Sequence, residues 1–528
     1  PAAEEKKDEK KKDAEPVPAK INVKIDPATF EQRVRAIPGA AGTYAGLSAV
    51  ANGVLYISGT NGKRALKLYN VDDRKEELIV DGIRGYDLSA KGDKLLVNAG
   101  NDYAIVNVKA GQKAGDGALD LDNLEMKIDP KAEWAQEFTD AWRILRDWFY
   151  DPKMHGLDWN LIRTRYGQLV PYVAHRADFD YILGEVAGEL NAGHVYVGTS
   201  NDWQIKRTDN GLLGAEIAAD ASGYARVKHI FPGENWQESS RSPLTEPGVK
   251  VREGDYILSI DGASTKGVDN FYRLLENKAD RVVTLLVNAK PDTAGAHEEK
   301  VRPIKKETNL RYLDWVQSRR EYVEKASGGR IGYIHLPNTA QEGNQELFKH
   351  FFPQVDKQAL IIDDRYNGGG FIPDRMIELL DRPILNYWAR RNTKPTATPA
   401  YAHNGPKVML TNGYSSSGGD ALPYYFRKRN LGTIIGTRTW GGLIGISGNP
   451  GLMDGGTISA PQFRFFDTEG AWAVEGKGVS PDIEVVDRPD LVAAGHDPSL
   501  EAAVKLLLEQ LEKNPPKKIE SPVAPSGI

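Results

Sequence analysis

Short apolar runs, each cut off by a cluster of small or polar residues, set out the elements of this chain. Pro406-Lys-Val-Met-Leu410 reads as a strand that ends in the turn Asn412-Gly-Tyr-Ser-Ser-Ser-Gly-Gly-Asp420, and a helix-like segment, Asp420 to Lys428, follows it. Ala359-Leu-Ile-Ile362 reads as a buried strand, with Asn367 to Gly370 forming the turn after it. Phe179 to Leu190 has a helical pattern, and a short β-branched strand opens beyond it at His194-Val-Tyr-Val197. Nearer the N-terminus, Leu47–Ile57 is echoed by Leu88–Val97, 41 positions further on, and each copy is followed by a second strand candidate, Ala65–Tyr69 and Tyr103–Val108. That spacing is close to the period of a four-stranded propeller blade. Two copies cannot close a propeller, which takes about four to eight blades.

Composition sets limits on this picture. The 528 residues allow about three or four domains. With 68 basic and 73 acidic residues the net charge is −5, and no basic patch points to nucleic acid. The charged run Glu4–Asp13 mixes both signs and reads as a solvated linker, and the chain starts at Pro1 without an initiator Met, which suggests a piece of a longer protein. No cysteine is present, which excludes disulfides and thiol catalysis and fits either the cytoplasm or the periplasm. No apolar run reaches the roughly 18 residues of a membrane span. The histidines other than His194 show no metal-ligand spacing, so neither a metal nor another cofactor is expected.

The candidate chemistry lies in the two turns. A serine hydroxyl between a strand and a helix meets the positive end of the helix dipole and backbone N–H groups, as a nucleophile with an oxyanion product requires. Three successive glycines at 368–370 leave N–H groups unshielded by any Cβ. His194 and Glu475, the latter in Val474-Glu-Gly-Lys-Gly-Val-Ser-Pro-Asp482, supply a base and an acid. The plainer readings are a capped Ser/Gly turn, a tight glycine loop, a structural histidine and an exposed glutamate.

Together these segments resemble the tricorn protease family, a branch of the carboxyl-terminal-processing serine peptidases. The matching pieces are Asp364–Gly370, Asn412–Asp420, Gly436–Gly442, Gly193–Val197 and Glu475–Asp482. The resemblance implies Ser417 as nucleophile, His194 as general base, the N–H groups of Gly370 and Gly418 as oxyanion hole, and Glu475 as the acidic member of the relay. It also implies peptide substrates and a homo-oligomer, and the location expected is cytoplasmic. Two positions depart from the family. Gly193 stands where a serine would connect base and acid, and Trp388 stands where an acid would read basic substrate side chains. A Ser–Lys dyad, the rival arrangement, lacks its lysine, because the segment after the serine reads Thr439-Trp-Gly-Gly-Leu443.

Arg207 to Lys306 looks like a PDZ domain, with Gly211-Leu212-Leu213-Gly214 as its carboxylate-binding loop and Gly254-Asp-Tyr-Ile-Leu-Ser-Ile-Asp-Gly262 as its signature strand and turn. The expected architecture is multidomain. It comprises a charged linker (1–20), terminal β-propeller blades (21–125), a helical subdomain carrying the base histidine (126–206), the PDZ-like β-domain (207–306), an α/β, crotonase-like peptidase core (307–515) and a tail (516–528). The expected activity is that of a serine endopeptidase. The alternatives are an inactive peptide-binding scaffold that uses the PDZ-like domain, and a propeller adaptor, which leaves the paired glycine turns unexplained.

Overall fold

The computed structural model describes residues 25–37, 39, 41–59, 64–113, 115–199, 207–517, 519–523 and 526. The linker expected at 1–20 lies outside the described residues. The chain divides into two compact units, Pro1–Lys127 and Ile128–Ile528.

The first unit holds two antiparallel sheets. One orders its strands consecutively as β1 (Tyr44–Val50), β2 (Gly53–Ser58), β3 (Ala65–Asn70) and β4 (Lys75–Asp81). The other holds β5 (Gly85–Leu88), β6 (Lys94–Ala99) and β7 (Asp102–Asn107). The sequence echo has a structural basis: each copy covers the end of one strand, a turn and the strand after it. Leu55, Leu66, Ile79, Leu95 and Val97 bury completely in a core shared by the two sheets.

The second unit begins with three helices, α1 (Pro130–Trp148), α2 (Trp159–Gly167) and α3 (Arg176–Gly188). Asp129 caps α1 by accepting the Lys131 and Ala132 N–H groups, and Asp158 caps α2 in the same way. Their core of Phe138, Trp142, Leu145, Phe179 and Leu183 also takes in Leu452, Ile458 and Ala460 from far along the chain. A two-residue strand, β8 (Val197–Gly198), follows the helices.

The PDZ-like β-domain comes next, made of β9 (Ala215–Ala219), β10 (Ala225–Ile230), β11 (Tyr256–Ile260), β12 (Ala263–Ser264), β13 (Val283–Asn288) and β14 (His297–Val301). Its sheet runs β14-β13-β11-β10-β9, and β12 pairs with β11. Val227, Ile257, Ile260, Leu285 and Val287 form its dry centre.

The α/β core starts with α4 (Thr308–Ser327), β15 (Ile331–His335), α5 (Gln341–Phe351), β16 (Ala359–Asp363) and α6 (Pro373–Leu380). An exposed hairpin of β17 (Asn386–Trp388) and β18 (Thr396–Thr398) intervenes before β19 (Lys407–Thr411), α7 (Gly418–Lys428) and β20 (Gly432–Gly436). Short strands β21 (Ile444–Gly445), β22 (Thr457–Ile458), β23 (Phe463–Arg464) and β24 (Ile483–Glu484) precede α8 (Pro489–Ala493) and α9 (Pro498–Lys513). Strand β22 pairs with β8, tying the helical subdomain to the core.

The central sheet, β15-β16-β19-β20-β24, is entirely parallel. Its inner strands are apolar on both faces because helices cover both. Tyr333, Ile361 and Leu410 meet α4 and α9, while Ile334, Ile362 and Met409 meet α5, α6 and α7. Ligands of such sheets bind beyond the carboxyl ends of the strands. Those ends are where the two glycine-rich turns emerge.

Candidate active site

Strand β19 leads into the turn Asn412–Ser417, in which the three serines have different fates. Ser415 is fully buried, donating its hydroxyl to the Asp364 carbonyl at 2.8 Å and accepting the Asn412 N–H. Ser416 donates to the Asn367 carbonyl at 3.3 Å. Among the described residues, the Ser417 hydroxyl donates to no group; its oxygen faces the Asp420 N–H in the capping box of α7. Ser417 is the N-cap of α7 with φ 57° and ψ −113°, in the left-handed half of backbone space. A non-glycine residue held there is strained, and such strain concentrates at functional turns. The Asp420 carboxylate holds it by accepting the Ser417 N–H at 2.7 Å. Asp420 is itself buried, accepting the Thr439 hydroxyl and the Gly441 N–H.

Strand β16 leads into the second turn. Its glycines also differ: the Gly368 N–H donates to the Pro337 carbonyl at 3.0 Å, and the Gly369 N–H to Asn367 Oδ1 at 2.9 Å. Neither Gly370 N–H nor Gly418 N–H donates to any group among the described residues. The two turns touch closely. A Cβ on Gly369 would lie 2.7 Å from Ser417 Cβ, and one on Gly418 would lie 2.8 Å from the Gly370 nitrogen. Unspent donors from both turns therefore flank the unspent hydroxyl.

Below the turns lies a buried charge network. Arg365 pairs with Asp363 at 2.6 Å, with Asp497 at 2.7 Å and with Asp487 at 3.0 Å. Asp364 is fully buried, with one oxygen accepting the Asn367 side chain at 2.8 Å and the other unpartnered. Burial, with Asp420 adding to it, pushes its carboxyl well above the usual range.

His194 lies in the turn after α3, also at positive φ (57°). Its ring centroid is 5.4 Å from that of Trp440, whose backbone N–H donates to the Ser415 carbonyl at 2.9 Å. Trp440 thus links the histidine to the serine turn across the seam between subdomain and core. Burial lowers the His194 pKa from its ordinary value, partly offset by the Glu475 charge. Glu475 Oε1 accepts the Gly193 N–H at 2.7 Å. Two buried atoms on this side, His194 Nδ1 and Glu475 Oε2, have no hydrogen-bond partner among the described residues. No hydrogen bond joins Ser417 to His194; in free enzymes such bonds are often long and close only on substrate.

The other candidates make no hydrogen bond or ring contact with the turns among the described residues. Trp388 is exposed on the β17–β18 hairpin, its indole N–H donating to Thr398 at 2.7 Å. In the PDZ-like loop, the Gly211 N–H donates to the Leu275 carbonyl and the Leu212 N–H to Ile304, while Leu213 is buried. A Cβ on Gly214 would lie 3.0 Å from Leu310 of α4, where the domain packs on the core. Sequence reasoning gave no role to Asp420, Trp440 or Arg365. For Asp420 a signal existed, because Ser417-Gly-Gly-Asp420 has the S-x-x-D spacing of a capping box. No helix among the described residues is long and apolar enough to cross a membrane.

Residues 130–188 match the tricorn protease C1 domain, 211–306 the tricorn protease PDZ domain, and 330–485 peptidase family S41. Tricorn protease homolog 1 of Streptomyces coelicolor is 33% identical over 515 residues, which are 94% of this chain and 48% of that protein. Putative tricorn protease homolog 2 of the same organism is 34% identical over 94% of this chain and 44% of its own. The tricorn protease of Thermoplasma acidophilum is 30% identical over 86% and 42%. The crystal structure of the tricorn protease superposes with a TM-score of 0.80 at 27% identity, covering 89% of this chain and 46% of that one. The chain spans about half the length of the curated relatives it matches. With the C1, PDZ and S41 segments in order and the two glycine turns meeting at the carboxyl ends of the core sheet, this chain belongs to the tricorn protease family.

Proposed function

We propose that the chain is a serine endopeptidase that cleaves peptides through an acyl-enzyme. Ser417 is its nucleophile, His194 its general base, and the Gly370 and Gly418 N–H groups its oxyanion donors. One observation carries this reading: of the three serines in the turn, Ser417 alone donates its hydroxyl to nothing among the described residues, and it stands at a helix N-terminus where the Gly370 and Gly418 N–H groups are also undonated. His194, whose pKa burial lowers, takes the Ser417 proton as the oxygen attacks the peptide carbonyl. The two N–H groups then hold the oxyanion; removing one such donor typically costs about two to three powers of ten in rate. His194 returns the proton to the leaving amine, and water releases the acyl group by the same steps.

The same reading takes β1–β7 as the last blades of a β-propeller, supported by the repeated strand–turn–strand units 41 positions apart. It takes the doubly covered parallel core as crotonase-like and the working protein as a homo-oligomer, both on the family resemblance. An inactive scaffold gains no support from the PDZ-like loop, two of whose N–H groups are already engaged within the chain. The test is a fluorophosphonate probe followed by peptide mass mapping. Labelling of Ser417 that disappears in Ser417→Ala and slows greatly in His194→Ala is the expected result. An intact, folded chain that the probe leaves unlabelled would remove the reading.

A further inference from the structure

Next to the oxyanion turn is a cavity of about 310 Å³, lined by Tyr312 and Trp315 of α4, His335 at the end of β15, Pro337 and Tyr366. It shares its walls with the catalytic turns. The Pro337 carbonyl accepts the Gly368 N–H, and Tyr366 directly precedes Asn367. The Tyr366 ring also stacks on Tyr414 at 5.6 Å, and Tyr414 stands three residues before Ser417.

The lining is organised and uncharged. His335 accepts the Tyr312 hydroxyl at Nδ1 (3.0 Å) and donates from Nε2 to the Arg365 carbonyl (2.9 Å), so both ring nitrogens are committed in the neutral form. Trp315 meets the His335 ring edge-on at 4.9 Å and the Tyr366 ring at 6.1 Å. Tyr366 keeps this place at φ 63°, where Gly or Asn would be cheaper. A large ring held in a strained conformation beside a catalytic turn suggests that the ring itself is needed.

We propose that this cavity is a specificity subsite that receives an aromatic side chain of the peptide substrate, close to the bond being cut. The proposal rests on the peptidase reading for its substrate. Three aromatic walls offer edge-to-face packing, worth about 0.5–1.5 kcal/mol per pair beyond the area buried. A cationic side chain fits less well, because guanidinium groups already lie over the Trp315 ring, Arg319 at 4.6 Å and Arg365 at 5.7 Å. An acidic side chain finds no open partner, since Arg365 is engaged by Asp363, Asp487 and Asp497, and Arg319 by Asp497.

The experiment separates the subsite from catalysis. Calorimetry on the full chain carrying Ser417→Ala measures binding of hexapeptides with Phe, Ala, Lys or Glu placed at each position in turn. At one position Phe should bind about tenfold tighter than Ala, and than Lys or Glu. Adding Trp315→Leu should cut that preference to about threefold or less. Should Trp315→Leu not fold, Tyr366→Asn removes a wall while keeping a residue that tolerates positive φ. Equal affinities at every position, a Lys or Glu preference at the responsive one, no measurable binding, or a Phe preference unchanged in a folded variant would each overturn the proposal. Fluorophosphonate labelling of the parent chain is read alongside. Absent labelling with Phe-dependent, Trp315-dependent binding defeats the peptidase reading and leaves the subsite standing; labelling without that dependence does the reverse.

Discussion

Glu475 reaches His194 through backbone: its Oε1 accepts the N–H of Gly193, the residue before His194, at 2.7 Å. With no side chain at 193, the carboxylate fixes the turn that carries the imidazole and makes no hydrogen bond to the ring. A Cβ at that position would lie 2.9 Å from the same oxygen, so the backbone contact occupies the space that a serine side chain would enter. Glu475 is therefore a positioning residue that acts on His194 by anchoring its peptide unit and by its charge.

The charge has a readable sign. Burial lowers the His194 pKa and Glu475 raises it, so the acid limb of kcat/KM should fall below the ordinary histidine value of about 6.5. Glu475→Gln keeps an oxygen for the Gly193 N–H but removes the charge, and should move the limb to still lower pH. Glu475→Ala also removes the anchor and should lose more kcat than the Gln variant. Peptide hydrolysis measured from about pH 4.5 to 9 checks this, and an acid limb in Glu475→Gln that stays put or moves upward contradicts it.

The three serines should separate by type of damage. Ser417→Ala should lose several powers of ten in kcat with an unchanged melting temperature. Ser415→Ala leaves the part-buried Asn412 N–H without its partner and the Asp364 carbonyl with the Asn367 N–H alone, which costs about 1–3 kcal/mol of stability. Ser416→Ala should be close to neutral in both. Thermal melts beside single-turnover rates on the three variants decide the matter. Full activity in Ser417→Ala would move the nucleophile elsewhere.

The proposed oxyanion donors can be tested by sterics. Gly370 has φ 143° and its Cβ would drive into the Thr339 backbone, which cannot yield as a flexible side chain can. Gly370→Ala should therefore displace its N–H and slow acylation by about two powers of ten or more. Gly248→Ala is the control for a positive-φ glycine with open space around it, costing some stability and no chemistry. Equal acylation rates for Gly370→Ala and the parent would exclude that N–H from the hole.

The two turns were legible because each is a local pattern, an apolar strand stopped by glycines, and the parallel core follows from four-residue apolar runs needing cover on both faces. The choice among neighbours was not local. Gly370 differs from Gly368 because the Gly368 N–H is spent on Pro337, and Ser417 from Ser415 because the Ser415 hydroxyl is spent on Asp364, 51 positions away. The anchoring of Gly193 by Glu475 spans 282 positions and has no signature in either segment. Arg365 looked like part of a motif, but its work is to gather Asp363, Asp487 and Asp497 beneath the oxyanion turn.

The seam between the His194 and Ser417 segments carries a charge imbalance of its own. Buried Arg176 pairs with Asp454 and Asp180, and stands 3.9 Å from Oε2 of fully buried Glu137. Glu137 Oε1 accepts the Asp454 N–H at 2.8 Å, while its Oε2 has no hydrogen-bond partner. Three carboxylates share one guanidinium, and burial raises the Glu137 pKa. An acid raised in the folded state favours folding while protonated, and that contribution is lost as pH climbs from its unfolded value, about 4.3, through its folded one. Glu137→Gln keeps the acceptor for Asp454, replaces the bare Oε2 with a donor and cannot ionise. The variant should melt higher than the parent at pH 8, by about 1–4 °C, with the gain shrinking as pH falls towards 5. Melting curves of both proteins across that range test it; a variant that is less stable at pH 8, or whose gain grows towards acid, would show that ionised Glu137 is what Arg176 holds.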